Sequence, residues 1–333
     1  MRVPAMRSVL WCAAAAGIAL GLLAAAPTCA QTADWPSRPI RIIVPFSPGG
    51  VTDNSARVIA DSLAARLGQQ VVVENRPGAS GNIGTQLVAQ SAPDGHTLLL
   101  GFDGTMVINP HVFPKLPFDT LRDFAPVTKL GDAALILVSH PSVPAKSLSQ
   151  FIALARRMKS ATFPYGTSGT GGTPHLAGEL LRQRTGIALE HIPYKGGGQA
   201  IVDGIAGHIP LVFTAVATAQ QYVKAGRLVG LGVPGAKRSA ALPEVPTFAE
   251  SGLAGFDVTS WVGILAPART PGPVIERLQG EIAAVLRAEP VSTRYAALGI
   301  EPVGNAPARF AEQIRADLAR WEKVVKAANI RLE

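Results

Sequence analysis

The stretch VPFSPGGVTD, Val44–Asp53, decides the fold class. It begins as an apolar strand, breaks at Pro48-Gly49-Gly50, and then supplies Thr52 and Asp53, residues suited to the start of a helix. A strand that turns sharply into a helix through glycines brings a bound group close to the amides of the helix's first turn, which carry a partial positive charge.

Outward from this stretch, strands and helices alternate. IRIIVPF reads as a strand, and Ala56, Ile59, Ala60, Leu63, Ala64 and Leu67 then share one face of a helix that begins near Asp53 and ends at Gly68. VVVENRPG reads as a strand, NIGTQLVAQSA as a helix and HTLLLGF as a strand. The order restarts at ALILVSH and continues through IPLVFTAV, so two α/β units are joined through about Val127–Leu135. Such alternation predicts parallel sheets covered by helices on both faces. A proline-rich stretch follows, and two long helices, about Pro273–Ala288 and Pro307–Ala328, close the chain.

The amino terminus carries Arg2 and Arg7 ahead of an apolar run, with small residues at Ala30 and before it. This is the pattern of a cleaved secretory signal over residues 1–30. Cleavage removes Cys12 and Cys29, the two cysteines of the chain, which excludes a disulfide scaffold and thiolate metal sites. The net charge is +8, of which Arg2 and Arg7 supply two, leaving +6. A mild positive excess suits small anionic partners. The Lys and Arg are scattered singly without interleaved aromatics, so nucleic acid is not expected as a partner.

Three glycine-rich loops are candidates for holding an anion. The first contains Gly49 and Gly50; the second, NRPGASGNIG, contains Gly78, Gly81 and Gly84. The third, YGTSGTGGTPH, sets Thr167, Ser168, Thr170 and Thr173 among glycines just before a helix. In open α/β sheets the ligand crevice lies at the carboxyl ends of the strands, where the first and third loops fall. Each of these loops can also be read simply as a turn, least so the third. No loop matches a phosphate-binding G-x-x-x-x-G-K-[ST] or a dinucleotide G-x-G-x-x-G. GTSGT around Ser168 has Thr170 where a nucleophile elbow requires glycine. A secreted α/β hydrolase using Ser168 and His175 is thus the weaker alternative, and His175 is expected to orient the loop. The histidines are dispersed with no H-x-x-x-H pair, so neither a metal nor a cofactor is expected.

VPFSPGGVTDNSAR, VVVENRPGASGNIG, PDGHTLLLG, KLPFDTLRDFAPVT, YGTSGTGGTPHLAGEL, HIPYKGGGQA, ALPEVPTFAESGL and SWVGILAP, in this order, resemble the successive signatures of the Bug family. These are extracytoplasmic solute-binding receptors related to the tripartite tricarboxylate transporter system. The resemblance implies a periplasmic, monomeric protein of the type II-like periplasmic binding protein fold, with two α/β domains closing on a small carboxylate for a transporter or a sensor. It implies a discontinuous first domain, 34–130 and 255–333, and a second over 131–254 that includes the return hinge. It further implies that the loop matching Phe46–Asp53, with Phe46, Ser47, Gly49, Gly50 and Asp53, holds one end of the ligand. Gly166, Thr167, Ser168, Gly169, Thr170, Thr173 and His175 match the loop for the other end. Asp103, Gly104, Thr105, Lys195, Gly196, Phe213 and Thr214 match the segments lining the cleft between them.

Two positions depart from the family pattern. Asp103 stands where a neutral small or hydroxyl residue is usual, and Ala215 where Asn or Asp is usual. Facing the ligand, Asp103 would favour a monocarboxylate or an acid that also carries an amine; alternatively it caps the turn FDGT through its own backbone. The signal pattern predicts a mature protein starting at Gln31 and free of thiol. Intact-mass measurement of the exported protein checks this, and a lipid on Cys29 would overturn it.

Overall fold

Strand β1 (Ile40–Val44) is followed by helix α1 (Val51–Leu67), β2 (Val71–Asn75), α2 (Asn82–Ala89) and β3 (Thr97–Phe102) in the computed structural model. The structure describes residues 35–158, 160–256 and 258–328. The export signal read at 1–30 lies outside them. After a π-helical turn, Gly104–Ile108, and the single turn α3 (Asn109–Val112), the long strand β4 (Phe124–Ala133) runs directly into β5 (Leu135–Ser139). Then come α4 (Leu148–Arg157), β6 (Phe163–Thr167), α5 (Thr173–Thr185), β7 (Leu189–Pro193), α6 (Gly197–Ala206), β8 (Leu211–Ala215), α7 (Val216–Lys224) and β9 (Val229–Gly232). The chain returns through β10 (Ser260–Pro267), α8 (Gly272–Arg287), α9 (Glu289–Ala297), β11 (Ile300–Pro302) and α10 (Pro307–Ala328).

These strands form two sheets, of order β2-β1-β3-β10-β4-β11 and β7-β6-β8-β5-β9. The expected parallel pairing holds for β2-β1-β3 and for β7-β6-β8. The all-parallel expectation fails beyond them. β10 runs antiparallel to β3 and β4, and β5 antiparallel to β8 and β9. The reason is the path of the chain. β4 leaves one sheet and β5 enters the other without an intervening helix, so no right-handed crossover sets their direction. β10 comes back from the second lobe and inserts between β3 and β4.

The central strands β3, β10, β5 and β8 are buried along their whole length, which requires cover on both faces. The signals for β9, β11, α7 and α9 were too short or too weakly periodic to read. At the inner end of the first lobe, Trp261 meets the Phe310 ring edge-on with centroids 5.1 Å apart, and Trp261 Nε1 donates to Asp317. This seats α10 across the start of β10. Gly263 lies beneath the same ring: a β-carbon there would overlap Phe310.

Because Phe310 is fully buried in that contact, Phe310→Ala should destabilise the fold by about 3–5 kcal/mol. Urea denaturation followed by tryptophan fluorescence measures it.

Candidate functional site

The first loop is fixed from below by Asp53. Its Oδ2 accepts from the Gly49 amide (3.0 Å), and Oδ1 accepts from Asn75 Nδ2 (3.0 Å), which also donates to the Phe46 carbonyl (3.0 Å). Burial opposes the charge on Asp53, but the Arg57 guanidinium together with Gly49 and Asn75 holds its carboxyl below the usual range. Gly49, at φ +83°, occupies the left-handed region that the turn requires. Asp53 therefore shapes the turn rather than facing a ligand.

The third loop is fixed by two histidines. His175 Nδ1 accepts from the Gly171 amide (3.0 Å), and its ring stacks on His191 with centroids 3.9 Å apart. Thr167 Oγ1 contacts His191 Nε2 (2.7 Å) and donates to the Gly169 carbonyl (2.9 Å). Burial lowers His175 to about 4, and burial together with neighbouring His175 lowers His191 to about 3, so both are neutral at pH 7. The Nδ1 lone pair of His175 is engaged by backbone and does not serve Ser168 as a base.

The lobes meet backbone to backbone at three seams. The Ser47 amide donates to the Lys195 carbonyl (3.2 Å), and a β-carbon on Gly198 would overlap the Pro48 carbonyl oxygen. A β-carbon on Gly104 would come within 2.7 Å of Gly172 Cα, and one on Gly169 within 3.0 Å of Ser80 Oγ. Ser80 itself sits at φ 54°, left-handed for a residue with a side chain. Several of the glycines read as ligand cradles are therefore closure contacts.

Between these seams lies a narrow cleft, partly open to solvent, whose atom-free space of about 340 Å³ includes that open solvent. Phe46, Val51, Phe102, Leu135, Pro174 and Ala215 make its apolar wall; Thr52, Ser168, Thr214 and Thr218 supply hydroxyls. Gly50 and Gly197 complete it, and none of the lining residues is ionisable. Four helices begin here. Their N-cap residues, Gly50 for α1, Gly172 for α5, Gly196 for α6 and Ala215 for α7, provide no side-chain cap. The first-turn amides of a helix lack intrahelical partners of the usual kind; here Val216 is taken by the Ala134 carbonyl (2.8 Å) and Gln199 by the Gly196 carbonyl (3.2 Å), while Pro174 of α5 has no N–H to offer. Thr218, 4% exposed, has a hydroxyl without a protein partner, as does nearby Ser47. A smaller cavity, also partly open to solvent, shares Phe46, Phe102 and Ser168 with the larger one. Ser80, Gly104, Thr105, Gly169, Thr170 and Gly172 form the rest of its wall.

Of the residues expected to line the cleft, Phe46, Gly50, Gly104, Thr105, Ser168, Gly169, Thr170 and Thr214 do so. Others lie elsewhere. Phe213 is fully buried and packs on Phe248, because the strand alternation that turns Thr214 to the cavity turns it away. Lys195 is exposed and contributes its carbonyl to the seam. Gly166 packs against Ile209 and Tyr194, while Gly196 lies against Ser47. Thr173 donates to Asp103 Oδ2 (2.6 Å). Leu135 and Thr218 were missed; the start of β5 and the inward side of α7 carry no local motif.

Asp103, 1% exposed, does not open onto either cavity. Its Oδ1 accepts from the Gly104 amide (2.8 Å) and Ser260 Oγ (2.6 Å), and Oδ2 accepts from Thr173 across the seam. The turn-cap reading thus holds, with two further donors that sequence did not suggest. Burial raises Asp103 to about 7, against the lowering effect of its three donors, and Asp317 adds to the rise.

A two-lobed α/β protein closed over an uncapped cluster of helix N-termini is, as a class, a solute-binding receptor. The model for the tripartite tricarboxylate transporter family receptor matches residues 55–330. The chain belongs to that family, as the Bug-type signatures implied. It is 37% identical over 310 residues to Protein BugT of Bordetella pertussis, covering 93% of this chain and 94% of the relative. Among solved structures it resembles an R. palustris protein with adipate, at TM-score 0.87 and 35% identity, covering 90% of this chain and all of that one. It also resembles MatC from Rhodopseudomonas palustris with bound malate, at TM-score 0.82 and 32% identity, covering 87% of this chain and all of that one. These neighbours confirm the periplasmic-binding-protein type of fold.

Gly198→Ala should hinder closure, because its obstacle is a backbone carbonyl that no rotamer change can move. Small-angle scattering should show a larger radius of gyration than wild type at similar thermal stability. Gly50→Ala should not do so, since its β-carbon meets nothing closer than 3.8 Å.

Proposed function

We propose that the chain is an exported, monomeric receptor that binds a small carboxylate at the larger cavity and passes it to membrane transporter subunits or to a sensor. The observation that carries this reading is the meeting of four uncapped helix N-termini at a cavity with no ionisable side chain on its wall. Each such terminus favours an anion by about 0.3–1 kcal/mol when exposed, and more when partly buried. The first turns of α1 and α6 present N–H groups without a competing counter-ion, and the unpartnered Thr218 hydroxyl offers a further donor. The adipate and malate carried by the solved relatives belong to the same chemical class.

Binding contacts both lobes at once, so ligand favours the closed arrangement by its differential affinity for it. No bond is made or broken. His175 Nδ1, which would have to serve Ser168 as base, accepts from the Gly171 amide instead, and ester turnover is expected to be nil. The lobe boundaries proposed for this motion are the two crossings, near Ala134 and between Gly232 and Ser260. Among the described residues no helix is long and apolar enough to cross a membrane, in keeping with a receptor that works beside its transporter.

A thermal-shift screen should show stabilisation by carboxylic acids and none by the corresponding primary amides. Thr218→Val should weaken the best acid by about 1.5–3 kcal/mol, the range for a hydrogen bond to a charged group, read by calorimetry. Equal shifts by acids and amides would overturn the anion site.

A further inference from the structure

We propose that this receptor selects a monocarboxylate with an apolar body: the carboxylate sits at the helix N-termini of the larger cavity, an uncharged tail reaches the smaller one, and Asp103 behind Gly104 turns away a second carboxylate. The inference rests on the carboxylate-receptor reading and narrows it. The two cavities share Phe46, Phe102 and Ser168 in their walls, and the two rings meet edge-on at 5.5 Å, so a ligand reaching from one cavity to the other would lie against phenyl surface.

The two ends differ in the donors they leave open. At the larger cavity the first turns of α1 and α6 and the Thr218 hydroxyl are available. At the smaller one the Gly104 amide is spent on Asp103 (2.8 Å), the Gly169 amide on Thr167 Oγ1 (3.3 Å) and the Thr105 hydroxyl on the Ser80 carbonyl (3.0 Å). The positive end of α5, which borders both cavities, is already answered by Asp103 through Thr173 Oγ1. No cationic side chain lines either cavity. A second carboxylate would therefore be desolvated beside an existing negative charge, with the neutral Ser80, Ser168 and Thr170 hydroxyls and no cation to compensate it. Because all three protein donors converge on Asp103 and bury it, a ligand amine has no free oxygen there to pair with.

Ionisation of Asp103 gives the discrimination a pH signature. Its carboxyl is raised to about 7, so the repelling charge grows as pH rises from 6 to 8. The ionisable group acting on it is Asp317 of α10, while His175 of α5 and His191 behind it stay neutral throughout this range. Carboxylic acid ligands are fully ionised across it.

Calorimetry with two matched pairs tests the proposal: hexanoate against adipate, and 3-phenylpropanoate against 3-(4-carboxyphenyl)propanoate. At pH 8 the monoacid of each pair should bind at least tenfold tighter than its diacid. The ratio should shrink severalfold at pH 6, and by tenfold or more in Asp103→Asn at pH 8. The pH series on wild-type protein decides the point even if that variant does not fold. Diacids binding as tightly as monoacids would overturn this inference and leave the receptor reading standing. No response to any of the four acids would overturn both, and a ratio indifferent to pH and to Asp103→Asn would remove Asp103 as its cause.

Discussion

The rest of the structure depends on two lobes touching through bare backbone. At Gly104 against Gly172, and at Gly198 against Pro48, the space for a side chain does not exist. Backbone approach of this kind brings helices from separate sheets to within a ligand's length of one another, so that amides from α1 and α6 can address one small volume. A single β-carbon at such a seam would hold the lobes apart and dilute that cluster. Glycine is used here for proximity more than for its dihedral freedom, since Gly104 and Gly198 have ordinary φ values.

The second constraint is the absence of charge from the cavity wall. Dipoles fixed by helices attract an anion without bringing a counter-ion that must itself be desolvated. The cost of burying charge is met instead at Asp103, one layer behind the wall. Three donors oppose what burial does to its carboxyl, and Thr173 and Ser260 tie it to the opposite lobe and to the returning strand. The residue thus belongs to closure and to the electrostatic background of the site at once.

Long periodic elements were legible in the sequence. β1, α1, β2, α2, β3 and the helices after Pro271 and Asn305 needed only hydrophobic spacing and glycine punctuation to be placed. So was the position of the glycine- and hydroxyl-rich loops just ahead of α1 and α5. Sheet direction was not legible, because β4, β5 and β10 derive their pairing from strands far away in the chain. Nor was the fate of Phe213, which depended on the face of β8 that Thr214 occupies.

Sequence alone determined the two-fold recurrence of strand and helix, the places where the chain turns, and the chemistry of the loops, all of which follow from local spacing and backbone preference. Tertiary structure alone decided which glycines border the cavity and which face the other lobe, and it joined Thr218 and Leu135 to the cavity wall. It also placed Asp103 under Thr173 and Ser260, 70 and 157 residues away. The first contact arises from closure of the lobes and the second from the pairing of β10 with β3, and nothing in the neighbouring residues encodes either.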